Sequence, residues 1–170
     1  MDIATFLALA LVCAPQVHPD TARAIVTVES AFNPFAIGVV GGSLERQPRT
    51  RAEALATINA LRAGGWNYSV GLGQINITNF NRLGLTPQAA LDPCTSLGAM
   101  QVVLGECHAR ASAGAGEQDA LRRALSCYYS GNFSTGMRYG YVGRVVAAAT
   151  APSRTPQRAT RALTSQESSS

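Results

Sequence analysis

The stretch "AIVTVESAFNP", Ala24 to Pro34, decides how this chain is read. With Ala22 before it, Ile25 and Val26 fall at i, i+3 and i+4, the spacing of one helix face; position i+7 on that face is Glu29, and Phe32 follows three residues on. Carboxylates are rarely buried unless paired or working, so a glutamate on an apolar stripe asks for a reason. Upstream, His18-Pro19-Asp20-Thr21 starts the helix, with proline in the first turn and aspartate against the N-terminal dipole. Downstream, Asn33-Pro34 stops it, because the residue before proline is pushed out of helical angles. Glu29 then sits in the last turn, where the dipole's negative end and its apolar neighbours both disfavour the anion and raise the pKa. A carboxyl protonated near neutral pH is what a general acid requires. On periodicity alone, a helix-end glutamate tilted to solvent or paired with an arginine is the simpler reading.

Working outward, residues 38–48 read as a loop, and "RTRAEALATINALRAGG" (Arg49 to Gly65) as a helix closed by a glycine pair. "WNYSVGLGQIN" (Trp66 to Asn76) has β-favouring residues around Gly71 and Gly73 and reads as a short hairpin. "NFNRLGLTPQAALDP" is a brief helix and loop, and "CTSLGAMQVVLGECHARA" a strong helix with Leu97, Met100, Val103 and Leu104 on one side. "DALRRALSCYYS" and "YGYVGRVVAAA" give two more helices, and the sequence from Thr150 onward is too poor in apolar residues to order itself. The architecture expected is mainly α, with one small β-hairpin element and a flexible C-terminal tail.

The chain has 170 residues, 46% hydrophobic and 14% charged, enough for one domain with a real core. Its net charge of +4 is built from arginine without lysine, and half of it lies in the last twenty residues. That is too weak and scattered for a nucleic-acid footprint, so no nucleic-acid partner is expected. Cys13, Cys94, Cys107 and Cys127 lack zinc spacing. They fit two disulfides in an oxidising compartment or four buried thiols, and three pairings stay open. The opening "MDIATFLALALVCAPQVHP" has the apolar run of a secretory signal but an aspartate where a basic residue belongs; a short helix packed on the domain explains it equally well. Two isolated histidines make no metal site, and no phosphate loop, Ser-His-Asp pattern or dinucleotide fingerprint is present. No cofactor and no metal are expected.

"ES" at Glu29-Ser30, "GLGQIN" at Gly71 to Asn76, "SCYYSGN" at Ser126 to Asn132 and "YV" at Tyr141-Val142 occur in that order. Together they resemble the soluble lytic transglycosylase family with its lysozyme-like α+β fold. More narrowly, the run from Cys13 to Val39, with "GLGQIN" and an inserted helix between, is similar to the lytic transglycosylases of type IV secretion and conjugation systems. The resemblance covers residues 5–147. It divides the chain into an apolar helix at 1–17, signal-like or structural, a transglycosylase domain at 18–149, and a disordered tail at 150–170.

The resemblance implies that Glu29 is the single catalytic acid/base and that Ser30 touches substrate or orients the carboxyl. Gly71 and Gly73 permit unusual backbone angles and close approach to a sugar. The resemblance also implies that Gln74 hydrogen-bonds the glycan, with Asn76 as a second polar contact. Relatives commonly read Ala-Tyr-Asn-Ala-Gly where this chain reads Cys127-Tyr128-Tyr129-Ser130-Gly131. Tyr128 then falls at the substrate-binding tyrosine and Tyr129 where asparagine is usual, with Asn132 downstream to replace that contact. Tyr141 is expected to hydrogen-bond near the carboxyl. Ordinary glycosidases flank the bond with two carboxylates; here none lies in the β element, although one can arrive from elsewhere in the fold.

One carboxyl suits a cleavage that closes a 1,6-anhydro product without water, and the resemblance implies that the bond is the β-1,4 link between N-acetylmuramic acid and N-acetylglucosamine in peptidoglycan. A hydrolytic muramidase and a weakly active wall-binding assembly component are the alternatives. The expected setting is the periplasm or cell envelope. The resemblance implies glycan strands and envelope subunits of a secretion machine as partners, and the chain itself is expected to be a monomer.

Overall fold

The computed structural model describes residues 1–151, so nearly all of the expected tail lies outside the described residues. The first helix, α1 (Ile3–Cys13), is capped by Asp2, whose carboxylate accepts from the Thr5 amide at 2.9 Å. It buries Phe6 and Ala10 against the domain, and a Cys13–Cys94 disulfide fastens its end. Next comes α2 (Pro19–Ser30), with His18 as N-cap and Ala22, Ile25 and Val26 buried as the periodicity requires. It ends at Ser30, earlier than Asn33-Pro34, because Ala31 and Phe32 both turn left-handed (φ 48° and 61°). Asn33 then holds the exit, accepting from the Phe35 amide and donating to the Pro48 carbonyl.

The β element has three antiparallel strands, β1 (Ile37–Val39), β2 (Tyr68–Val70) and β3 (Ile75–Asn76), in the order β1-β2-β3. Most of β1 falls within the loop expected at residues 38–48. Three residues centred on a glycine carry no alternation to detect. The strand exists because Ile37 pairs with Val70 and Val39 with Tyr68. The Gln47 side chain also closes its outer edge, accepting from the Ile37 amide and donating to the Ile37 carbonyl.

Between β1 and β2 lies α3 (Arg51–Ala63), N-capped by Thr50. Two single-turn helices, α4 (Phe80–Leu83) and α5 (Pro87–Ala90), lead into α6 (Pro93–Ala111). Leu97, Met100, Val103 and Leu104 of α6 are buried together. Beyond it stand α7 (Glu117–Ser130), a short α8 (Thr135–Arg138) and α9 (Tyr141–Thr150). The main contacts pair α6 with α7 and α2 with α9, and a Cys107–Cys127 disulfide joins α6 to α7. The fold is mainly helical and lysozyme-like, with the small sheet facing α6 and α7 across a cleft. None of the described helices is long and apolar enough to cross a membrane.

Candidate active site

The cleft has a volume of about 780 Å³ and is walled by the sheet on one side and by α6 and α7 on the other. Glu29 enters it from the C-terminal end of α2, with Gly38, Gln74, Asn76, Tyr128 and Tyr129 among the other lining residues. The β2–β3 turn is built tightly. Gly71 has φ +82°, and a Cβ there would stand 2.4 Å from the Ala90 carbonyl oxygen and 2.7 Å from Ser96 Oγ, so only glycine fits. Gln74 is itself left-handed (φ 49°), and its Nε2 donates to the Ala36 and Gly71 carbonyls at 2.9 and 3.1 Å. Its amide is thereby fixed, with Oε1 against Gly38, where a Cβ would come within 2.7 Å.

Tyr128 spans the cleft floor: its hydroxyl donates to the Gly73 carbonyl at 2.5 Å, tying α7 to the β2–β3 turn. Tyr141, 1% exposed at the start of α9, donates to Glu29 Oε1 at 2.5 Å. Tyr129 lies over Tyr141 in a stack with centroids 4.6 Å apart and planes 17° apart, leaving its own outer face in the cleft. Burial pushes the Glu29 carboxyl up to about 7, while the Tyr141 hydrogen bond and the Arg144 cation pull it down. Burial, reinforced by the charge of Glu29, holds both Tyr128 and Tyr141 well above the usual phenol range. Both hydroxyls therefore remain protonated donors around neutral pH.

The structure distributes the expected residues unevenly. Glu29, Gln74, Asn76, Tyr128 and Tyr129 line the cleft; Gly73 and Tyr141 lie just behind it, each bonded to a lining group. Asn76 is oriented by Asn67 and Ser69, to which its amide donates at 2.8 and 3.2 Å. Ser30 and Asn132 are not brought into the cleft. The Ser30 hydroxyl is buried and donates to the Val26 carbonyl, and Asn132 Oδ1 accepts from the Ser134 and Thr135 amides at the start of α8.

Sequence reading did not single out Arg82, Arg110 or Arg144, and it gave Glu106 no place in the site. Arg82 Nη1 donates to both oxygens of Glu106, at 2.8 and 2.7 Å, on the cleft wall. Arg110 Nη2 donates to Cys127 Sγ at 2.8 Å, so the Cys107–Cys127 disulfide is part of that wall. Only Arg144 had a local signal, three residues from Tyr141 on one helix face. Its guanidinium lies 5.9 Å from the Tyr141 ring centroid. Among the described residues no group of three or more His, Cys, Asp or Glu side chains gathers where one ion could be held.

Residues 7–145 match the family described as "Transglycosylase SLT domain". The chain is 49% identical over 151 residues to "Type IV secretion system protein virB1" of Brucella abortus biovar 1, covering 85% of this chain and 63% of that protein. It is 41% identical over 151 residues to "Protein virB1" of Agrobacterium fabrum, covering 88% of this chain and 61% of that one. The chain thus spans less than two thirds of the length of the curated relatives it matches. No solved structure matches it significantly.

Proposed function

We propose that this chain, which belongs to the transglycosylase SLT domain family, is a peptidoglycan lytic transglycosylase. It cleaves the β-1,4 bond between N-acetylmuramic acid and N-acetylglucosamine and releases a 1,6-anhydro end. One observation carries the reading: a carboxyl pushed up to about 7 by burial, facing a polar cleft, with a neutral tyrosine hydroxyl on one of its oxygens. Near neutral pH Glu29 is divided between acid and base, as a group that must serve as both requires.

The steps follow from that state. Tyr141 occupies Oε1, so the transferable proton rides on Oε2. Glu29 gives it to the glycosidic oxygen, the bond from that oxygen to C1 breaks, and positive charge develops at C1. The new carboxylate stabilises that charge and takes the proton of the same sugar's C6 hydroxyl as O6 bonds to C1. No water is consumed, and Glu29 is protonated again. Gln74, Asn76 and the faces of Tyr128 and Tyr129 hold the sugar rings. The type IV secretion name of the Brucella relative supports a setting in the cell envelope. There a monomer would open the wall locally for a secretion or conjugation apparatus, with that machine's envelope subunits as partners.

Glu106 favours a second reading. A second carboxylate in the same cleft is what a hydrolytic muramidase uses. Its two oxygens are both taken by Arg82, which suits a fixed counter-ion better than a base. Mass spectrometry of fragments released from purified peptidoglycan decides between the readings, with wild type and Glu29→Gln side by side. Anhydro ends from wild type alone are expected. Hydrated reducing ends would sink the transglycosylase reading in favour of the muramidase, and no release from either protein would leave a binding or assembly role.

A further inference from the structure

Val103, Glu106, Cys107 and Arg110 of α6 line the cleft. Their spacing of i, i+3, i+4 and i+7 is one helix face, so α6 forms an unbroken wall that ends at Arg110 in its last turn. Followed the other way, the same helix leads to the reacting centre. Met100 packs against Gly73, where a Cβ would stand 3.0 Å from both Met100 Cβ and the Tyr128 hydroxyl. At a helix's rise per residue, the Arg110 backbone stands roughly 15 Å beyond that level.

The charges on the cleft wall are not balanced. Its charged lining residues are Glu29, Arg82, Glu106 and Arg110. Glu106 would be the ordinary partner of Arg110, four residues on, but both its oxygens are taken by Arg82. Among the described residues Arg110 makes no ion pair. A cation in a last helical turn complements the dipole, yet that alone does not require it to be held in the cleft. Arg110 is held. Its side chain leans back along α6, and Nη2 donates to Cys127 Sγ and lies 3.5 Å from Cys107 Sγ. A disulfide sulfur is uncharged and a weak acceptor, so it positions the guanidinium without neutralising it. Nε and Nη1 make no hydrogen bond among the described residues, and the residue is exposed.

We propose that Arg110 is a carboxylate subsite that recognises the anionic substituent of muramic acid. In peptidoglycan each N-acetylmuramic acid carries a lactyl group at C3 and, through it, a peptide stem with free carboxylates. N-acetylglucosamine carries neither. A strand lying along the cleft presents these groups to the walls, and an oriented guanidinium can pair a carboxylate through two parallel bonds. The Arg82–Glu106 pair contributes by keeping Glu106 off Arg110. This rests on the glycan reading above.

The test uses the Glu29→Gln protein, which removes the general acid, and calorimetry with three ligands of matched length. The first is soluble peptidoglycan strands with their stems. The second is the same strands stripped by an amidase, which leaves the lactyl carboxylate. The third is β-1,4-linked N-acetylglucosamine oligomers, which have no carboxylate. The stem-bearing strands should bind more tightly than the neutral oligomers, and the preference should narrow as salt rises. Adding Arg110→Gln should reduce that preference roughly fivefold, and Arg110→Lys should restore part of it. A reduction confined to stem-bearing strands assigns the carboxylate to the peptide; one shared with the stripped strands assigns it to the lactyl group. No preference in the parent protein, a preference unchanged by Arg110→Gln, or an equal loss on all three ligands overturns the subsite and leaves the glycan reading intact. If the Glu29→Gln protein binds none of the three and does not sediment with purified peptidoglycan, the subsite and the glycan reading fall together.

Discussion

The Tyr141 hydroxyl donates to Glu29 Oε1 at 2.5 Å, joining residues 112 positions apart in the chain. A hydrogen bond to a carboxylate favours its ionised form, so this contact restrains the rise that burial imposes on Glu29. In Tyr141→Phe the restraint goes and the pKa climbs above about 7. Proton donation requires the protonated acid, so the alkaline limb of kcat/KM should move to higher pH. The rate at its optimum should fall roughly ten- to a hundredfold, because the oriented donor is lost. A pH profile on soluble glycan fragments measures both. An alkaline limb that stays put, or moves to lower pH, would show that Tyr141 does not govern the carboxyl.

Arg144 acts on the same group through charge alone. Its cation pulls the Glu29 pKa down, and Arg144→Gln should raise it. The alkaline limb should again move up, here with little change in the optimum rate, because Tyr141 keeps its bond. Exposure of Arg144 makes the effect sensitive to salt. Raising ionic strength on the wild type should therefore imitate part of the substitution.

Holding Glu29 at about 7, against 4.5 for an ordinary glutamate, also has a stability cost with a definite sign. Between those two pH values the folded protein holds a proton that the unfolded chain has lost, so stability falls as pH rises through the window. Above it the ionised, buried carboxyl costs at most about 3 kcal/mol. Glu29→Gln has no such group. Its stability relative to wild type should grow between pH 5 and pH 8, which urea unfolding at the two pH values measures. A difference that is flat with pH would mean that Glu29 is solvated in the folded protein.

Much of this site was legible because Glu29 interrupts an apolar stripe of period 3.6, and α2, α3, α6, α7 and α9 carry the same period, with side-chain N-caps on α2, α3 and α6. The tyrosines and Gln74 came through resemblance, since nothing local marks Tyr141 as the partner of Glu29. Strand β1 was hidden because its pairing depends on β2 and on the Gln47 side chain, neither of which three residues can announce. Arg82 and Glu106 were illegible for a related reason. Arg82 is an ordinary charge on a one-turn helix and Glu106 one on the exposed face of α6, and only the fold brings them within hydrogen-bond distance as one wall. Glu29 ended closer to its helix terminus than the sequence indicated, since nothing about Ala31 or Phe32 foretells a left-handed backbone.

The two disulfides should separate stability from activity. Cys13–Cys94 spans 81 positions and Cys107–Cys127 spans 20. By chain entropy the first should contribute about 4.5 kcal/mol and the second about 3 kcal/mol. Their relation to the site is the reverse. Cys13–Cys94 fastens α1 to α6 and neither sulfur lines the cleft, whereas Cys107 and Cys127 both do, and Cys127 precedes the tyrosine that ties α7 to Gly73. Replacing Cys13 and Cys94 by alanine should give the larger drop in Tm with kcat/KM preserved well below it. Replacing Cys107 and Cys127 should give the smaller drop in Tm and the larger loss of kcat/KM, because α7 can then shift Tyr128 and Tyr129. Thermal unfolding and initial rates on the two double variants measure this. Equal loss of activity in both would mean that the Cys107–Cys127 bond serves the fold alone.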